Sequence, residues 1–202
     1  MVIANMIPRP QFIYCRASLG KAYVDPVMRY YEMQAKMWDI PFSPYHFYQQ
    51  DHLQEQLDNF LRATVGMEWS DKEPPMLDCE YQAAWPFGIR GKQLADQYKF
   101  LLDGMERETG VVPWIYTNQN FWGKTFYDPS GKSIKGAEVA PWWTKKYPVI
   151  VAWYPYQPDD FATIPSTVIP SGFKIIKGWQ YAENGRSAGY TTIANDLNQM
   201  YL

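Results

Sequence analysis

The chemistry that the sequence suggests most directly comes from two carboxylates that are two residues apart, Asp78 and Glu80. They follow a short apolar run, and the whole stretch from Pro75 to Tyr81 is predicted to be a β-strand. Alternate side chains of a strand point to the same face, so the two carboxyl groups are expected to share one small space. Like charges at close range raise the pKa of one member of the pair, as a general acid requires.

The pattern Asp-x-Glu is weak on its own. The plain alternative is an Asp and a Glu at a strand end, where they cap the next segment or bind a surface lysine. The elements that position the pair must therefore decide between the two interpretations.

Strand-like and helix-like segments alternate along the chain. Short β-branched or aromatic runs predict strands over residues 11–18, 44–48, 75–81, 111–117, 149–154 and 174–181. Apolar residues at helical spacing predict helices that begin at Asp25-Pro26 and that cover 51–65 and 91–109, the last ending at Gly110. Residues 118–147 carry no clear pattern. Repeated β-then-α units predict an α/β fold with a parallel sheet and helices outside, either open or closed into a barrel.

Functional residues of such folds gather at the carboxyl ends of the strands. Around the acidic pair these ends carry aromatic rings and hydrogen-bonding groups, a combination typical of a sugar site. The plainer role is structural, because a histidine or a tryptophan in an apolar strand more often belongs to the core. The candidates at the strand ends are Arg16, Ser18, Tyr45, His46, Tyr48, Tyr116, Trp153, Tyr154, Trp179, Gln180 and Tyr181.

Length and composition exclude several classes of protein. A chain of 202 residues suits one sizeable core, so residues 1–202 are predicted to form a single domain. The 19 Lys and Arg against 21 Asp and Glu, without a basic block, argue against nucleic acid as a partner. No apolar run approaches the roughly 18 residues of a membrane-spanning helix, and no export signal is readable. The 2 histidines lack metal-binding spacing, so we expect no metal and no cofactor.

The motifs of the chain, taken in order from about residue 11 to the end, resemble those of the family-25 glycoside hydrolases. These are the muramidases also called Chalaropsis-type lysozymes. The resemblance implies an irregular (β/α) barrel of the TIM type. It also implies hydrolysis of the β-1,4 bond between N-acetylmuramic acid and N-acetylglucosamine in the glycan strands of peptidoglycan. The motifs that carry it are 12–26, 44–47, 56–60, 75–80, 114–117, 151–154, 179–181 and 195–198.

The resemblance also implies roles for individual residues. Glu80 matches the general acid/base of the family. Asp78 matches the neighbouring carboxylate, which orients the substrate or stabilises positive charge, and Asp196 matches an acidic residue near the chain end that joins the site. The positions where the family lines its groove are Tyr45, His46, Tyr116, Trp153, Tyr154, Trp179 and Gln180.

The sequence departs from the family at its start. The family opens with a strand of the type Gly-Ile-Asp-Val-Ser, whose Asp belongs to the catalytic set, and a helix follows it. Here no acidic residue precedes Asp25, and Val2–Asn5 is expected to be a stub of that strand. The barrel is therefore expected to be open at the N-terminal strand, with an edge available for self-association, and the site is expected to lack one carboxylate. A truncated or misassigned start explains the same observation.

Three functions remain open on the sequence alone. The first is an active muramidase, such as a phage or prophage endolysin, which acts on the cell wall from outside or after phage release. The second is a degenerate relative that binds cell-wall glycan without cleaving it. The third is a structural part of a larger assembly, for example a phage particle, which docks through the open barrel edge.

Overall fold

The computed structural model of the chain describes residues 10–50, 52–80, 89, 91–125, 141–154, 164–182 and 196–201. The strands are β1 (Ile13–Leu19), β2 (Tyr23–Val24), β3 (Phe42–Phe47), β4 (Met76–Asp78), β5 (Trp114–Asn118), β6 (Val149–Ala152), β7 (Ile176–Ala182) and β8 (Leu197–Met200). The α-helices are α1 (Met28–Met37), α2 (Leu53–Ala63), α3 (Gly91–Thr109) and α4 (Gln119–Thr125). Two short 3₁₀ helices cover Trp142–Lys145 and Ser166–Val168.

The eight strands form a mostly parallel sheet in the order β2-β1-β3-β4-β5-β6-β7-β8. β1 and β3, β3 and β4, β5 and β6, and β6 and β7 pair in parallel. Antiparallel pairs lie at the two ends of the order, β1 with β2 and β7 with β8. This confirms the predicted α/β class with a mainly parallel sheet.

The chain divides into two compact units. One consists of Met1–Cys79 with Gln97–Trp114, and the other of Glu80–Asp96 with Ile115–Leu202. In the first unit α1 and α2 pack on β1, and Leu57 and Phe60 of α2 are buried. In the second unit every residue of β6 is buried, as in strands that are covered on both faces. The expectation of a single domain over 1–202 stays a prediction.

Helix α3 shows how local sequence sets the bounds of an element. It covers Gly91–Thr109 as predicted, and Gly110 follows it with φ +74°. The Gly110 N–H donates to the Glu106 carbonyl at 2.8 Å, which closes the last turn of the helix. A left-handed residue at this position has little steric cost when it is glycine, so the predicted C-cap is confirmed.

Other elements differ from the sequence prediction. Strand β4 has only three residues and ends at Asp78, so Glu80 lies beyond the strand rather than within it. Strands β2 and β8 and helix α4 were not predicted. The expected stub Val2–Asn5 and the middle of the aromatic stretch, 126–140, lie outside the described residues, and pairing through an open edge stays a prediction. The described helices include none with the length and hydrophobicity of a membrane span.

Candidate active site

Glu80 is a half-buried carboxyl group that follows β4. Burial raises its pKa above the ordinary value, because a carboxylate loses hydration in the interior. The Nδ2 of Asn118 donates a hydrogen bond to Oε1 at 3.3 Å, which lowers the pKa by a smaller amount, and the charge of Asp196 raises it. The net effect is a raised pKa. An acid of this kind is suited to donate a proton to a bound oxygen atom.

The acidic residue that raises the pKa of Glu80 is brought to it by the tertiary structure. The spacing in the sequence suggested Asp78 as the like charge, whereas in the structure Asp196 raises the pKa of Glu80. Asp196 is exposed and directly precedes β8. The structure thus brings together Glu80 and Asp196, two of the three carboxylates expected at the site, within the second compact unit.

Asn118 forms a hydrogen bond with Glu80 and was not predicted from the sequence as a site residue. It is the last residue of β5, and its Oδ1 accepts a hydrogen bond from the Phe121 N–H at 2.8 Å. This bond caps α4, because Asn118 directly precedes the first residue of that helix. An Asn between a strand-like run and a helix is a typical N-cap, and this signal could have located Asn118.

Three expected groove residues form one hydrogen-bonded group in the second unit. Gln180 Oε1 accepts hydrogen bonds from the hydroxyl groups of both Tyr116 and Tyr154. Tyr116 and Gln180 are buried, whereas Tyr154 is 47% exposed. Tyr154 is therefore the member whose ring is accessible, and Gln180 Oε1 holds its hydroxyl group in place.

Two expected groove tryptophans stack on each other. The rings of Trp153 and Trp179 are 5.2 Å apart between centroids, with 29° between their planes. Trp179 is buried on β7, and its Nε1 donates to Gln199 Oε1 at 3.1 Å. Trp153 follows β6 and is half-buried. Trp179 thus has the structural role, and Trp153 is the ring with accessible surface.

The strand register explains why these side chains lie together. Asn118 of β5 is paired with Ala152 of β6, and Ala152 is paired with Gln180 of β7. Gln180 is in turn paired with Asn198 of β8. One row of the sheet therefore crosses the second unit, and Trp153 lies one residue beyond it.

The remaining expected site residues belong to the first compact unit. Asp78 is buried at the end of β4, and its carbonyl oxygen accepts a hydrogen bond from the Tyr48 N–H at 3.2 Å. Tyr45 is half-buried on β3. His46 has no exposed surface, and its Nδ1 lies 2.8 Å from Ser18 Oγ and its Nε2 3.1 Å from Gln56 Oε1.

The hydrogen bonds of Gln56 fix the tautomer of His46. Gln56 Nε2 donates to the Gln49 carbonyl at 2.6 Å, and Gln56 Oε1 accepts from the Gln49 N–H at 2.9 Å. His46 Nε2 must therefore carry a proton to donate to the same oxygen, and Nδ1 accepts from Ser18. Burial lowers the pKa of His46 to about 4, so the ring is neutral at pH 7. The structure places His46 in the interior as a structural histidine, rather than on a groove surface.

The described residues contain no group of three or more His, Cys, Asp or Glu that could hold a metal ion. The two cysteines, Cys15 and Cys79, are both free thiols. Burial raises the pKa of Cys15 to about 12, which makes it a poor nucleophile near pH 7. The described groups that act on Glu80 are the carboxyl of Asp196 and the amide of Asn118.

Comparison with known proteins identifies a family and solved structures that the chain resembles. A sequence model described as Glycosyl hydrolases family 25 matches residues 7–190. No curated protein sequence matches the chain. A family-25 lysozyme from Aspergillus fumigatus is 24% identical with a TM-score of 0.72, and the match covers 96% of this chain and 84% of that one. The bacterial lysozyme from Streptomyces coelicolor is 21% identical with a TM-score of 0.74, and the match covers 95% and 82%.

A third solved structure, a muramidase from Acremonium alcalophilum, is 18% identical with a TM-score of 0.74, and the match covers 97% of this chain and 85% of that one. At these identities the likeness shows the fold alone. It confirms the expected class, an α/β fold of the irregular (β/α) barrel type.

Proposed function

The chain belongs to glycosyl hydrolase family 25, and we propose that it cleaves the β-1,4 bond between N-acetylmuramic acid and N-acetylglucosamine in peptidoglycan. The observation that supports this proposal is the environment of Glu80. A half-buried carboxyl with a raised pKa, a donor on Oε1 and a second carboxylate nearby is what a glycosidase acid requires.

Glu80 is the general acid in this proposal. Its proton passes to the glycosidic oxygen as the bond from that oxygen to C1 of the muramic acid breaks, so the departing sugar leaves as a neutral alcohol. The ionised Glu80 then takes a proton from water as the water oxygen attacks C1. One molecule of water is consumed, and Glu80 is protonated again at the end of the cycle.

Asp78 and Asp196 have supporting roles in the proposal. The carboxyl group of Asp78 either stabilises the positive charge that develops at C1 or orients the 2-acetamido group for attack on C1. Asp196 keeps the proton on Glu80 until the substrate is in place, because a nearby negative charge disfavours ionisation of Glu80.

Aromatic rings supply the contacts with sugar. The faces of Trp153 and Tyr154 have accessible surface, and sugars stack on such faces through their C–H groups. We propose Trp153 and Tyr154 as direct contacts of the glycan strand. Tyr45 is a further proposed contact, since it is half-buried. Buried residues support the accessible rings in this proposal without contacting the sugar, and these are Tyr116, Trp179 and Gln180.

The test is release of reducing ends from purified peptidoglycan, with the product sugar identified. We expect the natural sequence to release ends on muramic acid, and we expect Glu80→Gln to lower the rate by a factor of about 100 or more, as is typical for loss of a general acid. The matched control is Glu68→Gln, the same change at an exposed carboxyl. This control should retain the full rate.

Two outcomes would contradict the proposal. A loss of only a few-fold in Glu80→Gln, with full activity in the control, would remove Glu80 from the acid role. The folded protein could instead sediment with the cell wall and release no reducing ends. That result would indicate a protein that binds glycan without cleaving it.

A further inference from the structure

The side-chain amide of Asn118 contacts Glu80 through its nitrogen, and its oxygen is bound elsewhere, which fixes the orientation of the amide. Its Oδ1 is occupied by the Phe121 N–H at the start of α4, so its Nδ2 is the atom that faces Glu80 Oε1. An amide nitrogen donates hydrogen bonds and cannot accept them. Glu80 Oε1 must therefore be the acceptor in this contact, whether the carboxyl group is protonated or ionised.

We propose that Asn118 is a positioning residue that directs the transferable proton of Glu80 to Oε2. A proton on Oε1 would face the amide hydrogen of Asn118, whereas a proton on Oε2 leaves the hydrogen bond intact. The contact thus selects one of the two carboxyl oxygens as the acid. This inference rests on the proposed function, and it adds a residue that the family motifs did not indicate.

The contact changes in strength during the reaction. A hydrogen bond to an ionised carboxylate is stronger than one to a neutral carboxyl. The contact with Asn118 therefore stabilises the ionised form of Glu80, which exists after the proton has left. Burial and the charge of Asp196 act in the opposite direction and favour the protonated form. Asp196 is the titratable group shown to act on Glu80 within the described residues, and Asp78 is its acidic neighbour in the chain.

Substitutions of Asn118 separate positioning from capping. Serine and aspartate retain an oxygen that can accept from the Phe121 N–H, so both are suitable caps. An ionised aspartate has no donor, and the serine hydroxyl is one bond shorter than the Asn118 amide, so it cannot make the Glu80 contact while it accepts from the Phe121 N–H. Asn118→Ser therefore removes the contact with Glu80 and keeps the cap, Asn118→Asp adds a negative charge as well, and Asn118→Ala removes both functions.

The experiment is a titration of the Glu80 carboxyl carbon by ¹³C NMR, with the signal assigned by its absence in Glu80→Gln. We expect the pKa of Glu80 to rise in Asn118→Ser and to rise further in Asn118→Asp. Asp196→Asn should lower it, because a like charge is removed. In kinetics, the alkaline limb of kcat/KM should move in the same directions, with kcat reduced about tenfold or more and KM little changed in Asn118→Ser.

The titration does not depend on catalysis. An unchanged pKa of Glu80 in folded Asn118→Ser would overturn the positioning role, even if the enzyme is active. Equal losses of kcat in the Ala and Ser variants without a shift of the alkaline limb would overturn it as well, since that pattern indicates a structural role. Absence of any cleavage by the natural sequence would refute the proposed function and leave the titration to decide the inference.

Discussion

At the scale of single residues, the pKa of Glu80 is set by the groups that surround it. Glu80 is subject to opposing influences, since burial and Asp196 favour its protonated form and Asn118 favours its ionised form. In the proposed reaction Glu80 gives up a proton and then takes one back, and the two opposing influences serve these two steps. Burial alone would favour the protonated form in both steps, and the hydrogen bond alone would favour the ionised form in both.

His46 gives a prediction about stability at this scale. Its pKa falls from 6.5 to about 4 on folding, so the unfolded chain binds more protons between these values. The stability due to the neutral ring is present above pH 6.5 and is lost as the pH falls toward 4. We expect the free energy of unfolding to decrease by about 2 kcal/mol between pH 7 and pH 5, measured by urea titration. His46→Gln should lack most of this decrease.

The second histidine of the chain is the control for this prediction. His52 is exposed, so His52→Asn should retain the pH dependence of the natural sequence. If His46→Gln and the natural sequence lose the same stability over this pH range, burial of the neutral ring is not the cause.

The sequence identified the residue types of the site better than their roles. Glu80, Asp78 and Asp196 were indicated by their place in an ordered set of motifs. Asn118 was not, since its importance comes from a contact with a residue 38 positions away. His46 was expected at the groove and lies in the interior, because burial depends on which helix covers a strand.

At the scale of elements, the packing of α3 on α2 gives a second prediction. Gly104 lies within α3, and a Cβ built there would lie 2.4 Å from Leu57 Cδ2 and 3.1 Å from Cδ1. Alanine is the better helix former, but Leu57 is 1% exposed and has little room to move. We expect Gly104→Ala to lower the free energy of unfolding by about 1–3 kcal/mol, the usual cost of overpacking.

Gly123 of α4 is the matched control, since a Cβ there meets nothing within 4 Å. Gly123→Ala should be neutral or should stabilise the protein by up to about 1 kcal/mol. The variant Gly104→Ala should also lose much of its effect when Leu57 is already alanine. Equal stabilisation by both glycine substitutions would mean that Leu57 relaxes freely.

Long periodic elements were predictable, and short paired ones were not. The apolar stripe of α2 and the glycine after α3 located both helices to within a few residues. Strand β2 has two residues and β8 has four, and both are antiparallel partners at the ends of the strand order. Strands of that length carry no readable periodicity, because their pairing is decided by the neighbouring strand.

At the scale of the whole molecule, strand order decides which side chains meet. Parallel strands end at the same edge of a sheet, so residues that are far apart in sequence become neighbours at that edge. The row Asn118, Ala152, Gln180 and Asn198 is an example. The alternation of strands and helices was enough to predict this class of fold. The exact register was not predictable, because irregular pairing occurs in β6 with β7 and in β7 with β8.

The environment that supports the proposed acid role of Glu80 should also affect the stability of the whole molecule. The pKa of Glu80 is raised on folding above the ordinary value of 4.5. Its contribution to the free energy of unfolding is therefore fully present below pH 4.5 and is lost as the pH rises through the pKa of the folded state. Near pH 8 the buried carboxylate therefore destabilises the fold. Glutamine has the same shape without the charge, and its oxygen can still accept from Asn118. We expect Glu80→Gln to unfold at a higher temperature than the natural sequence at pH 8.

The difference in unfolding temperature should shrink as the pH is lowered to 4, where Glu80 becomes protonated in both the folded and the unfolded chain. Glu68→Gln, at an exposed carboxyl, should show no such pH dependence. An inactive Glu80→Gln that is more stable at pH 8 would show that the fold tolerates a destabilising group where the reaction needs one. An equal or lower unfolding temperature at pH 8 would mean that the surroundings of Glu80 do not oppose its ionisation, and the proposed acid would then lose its physical basis.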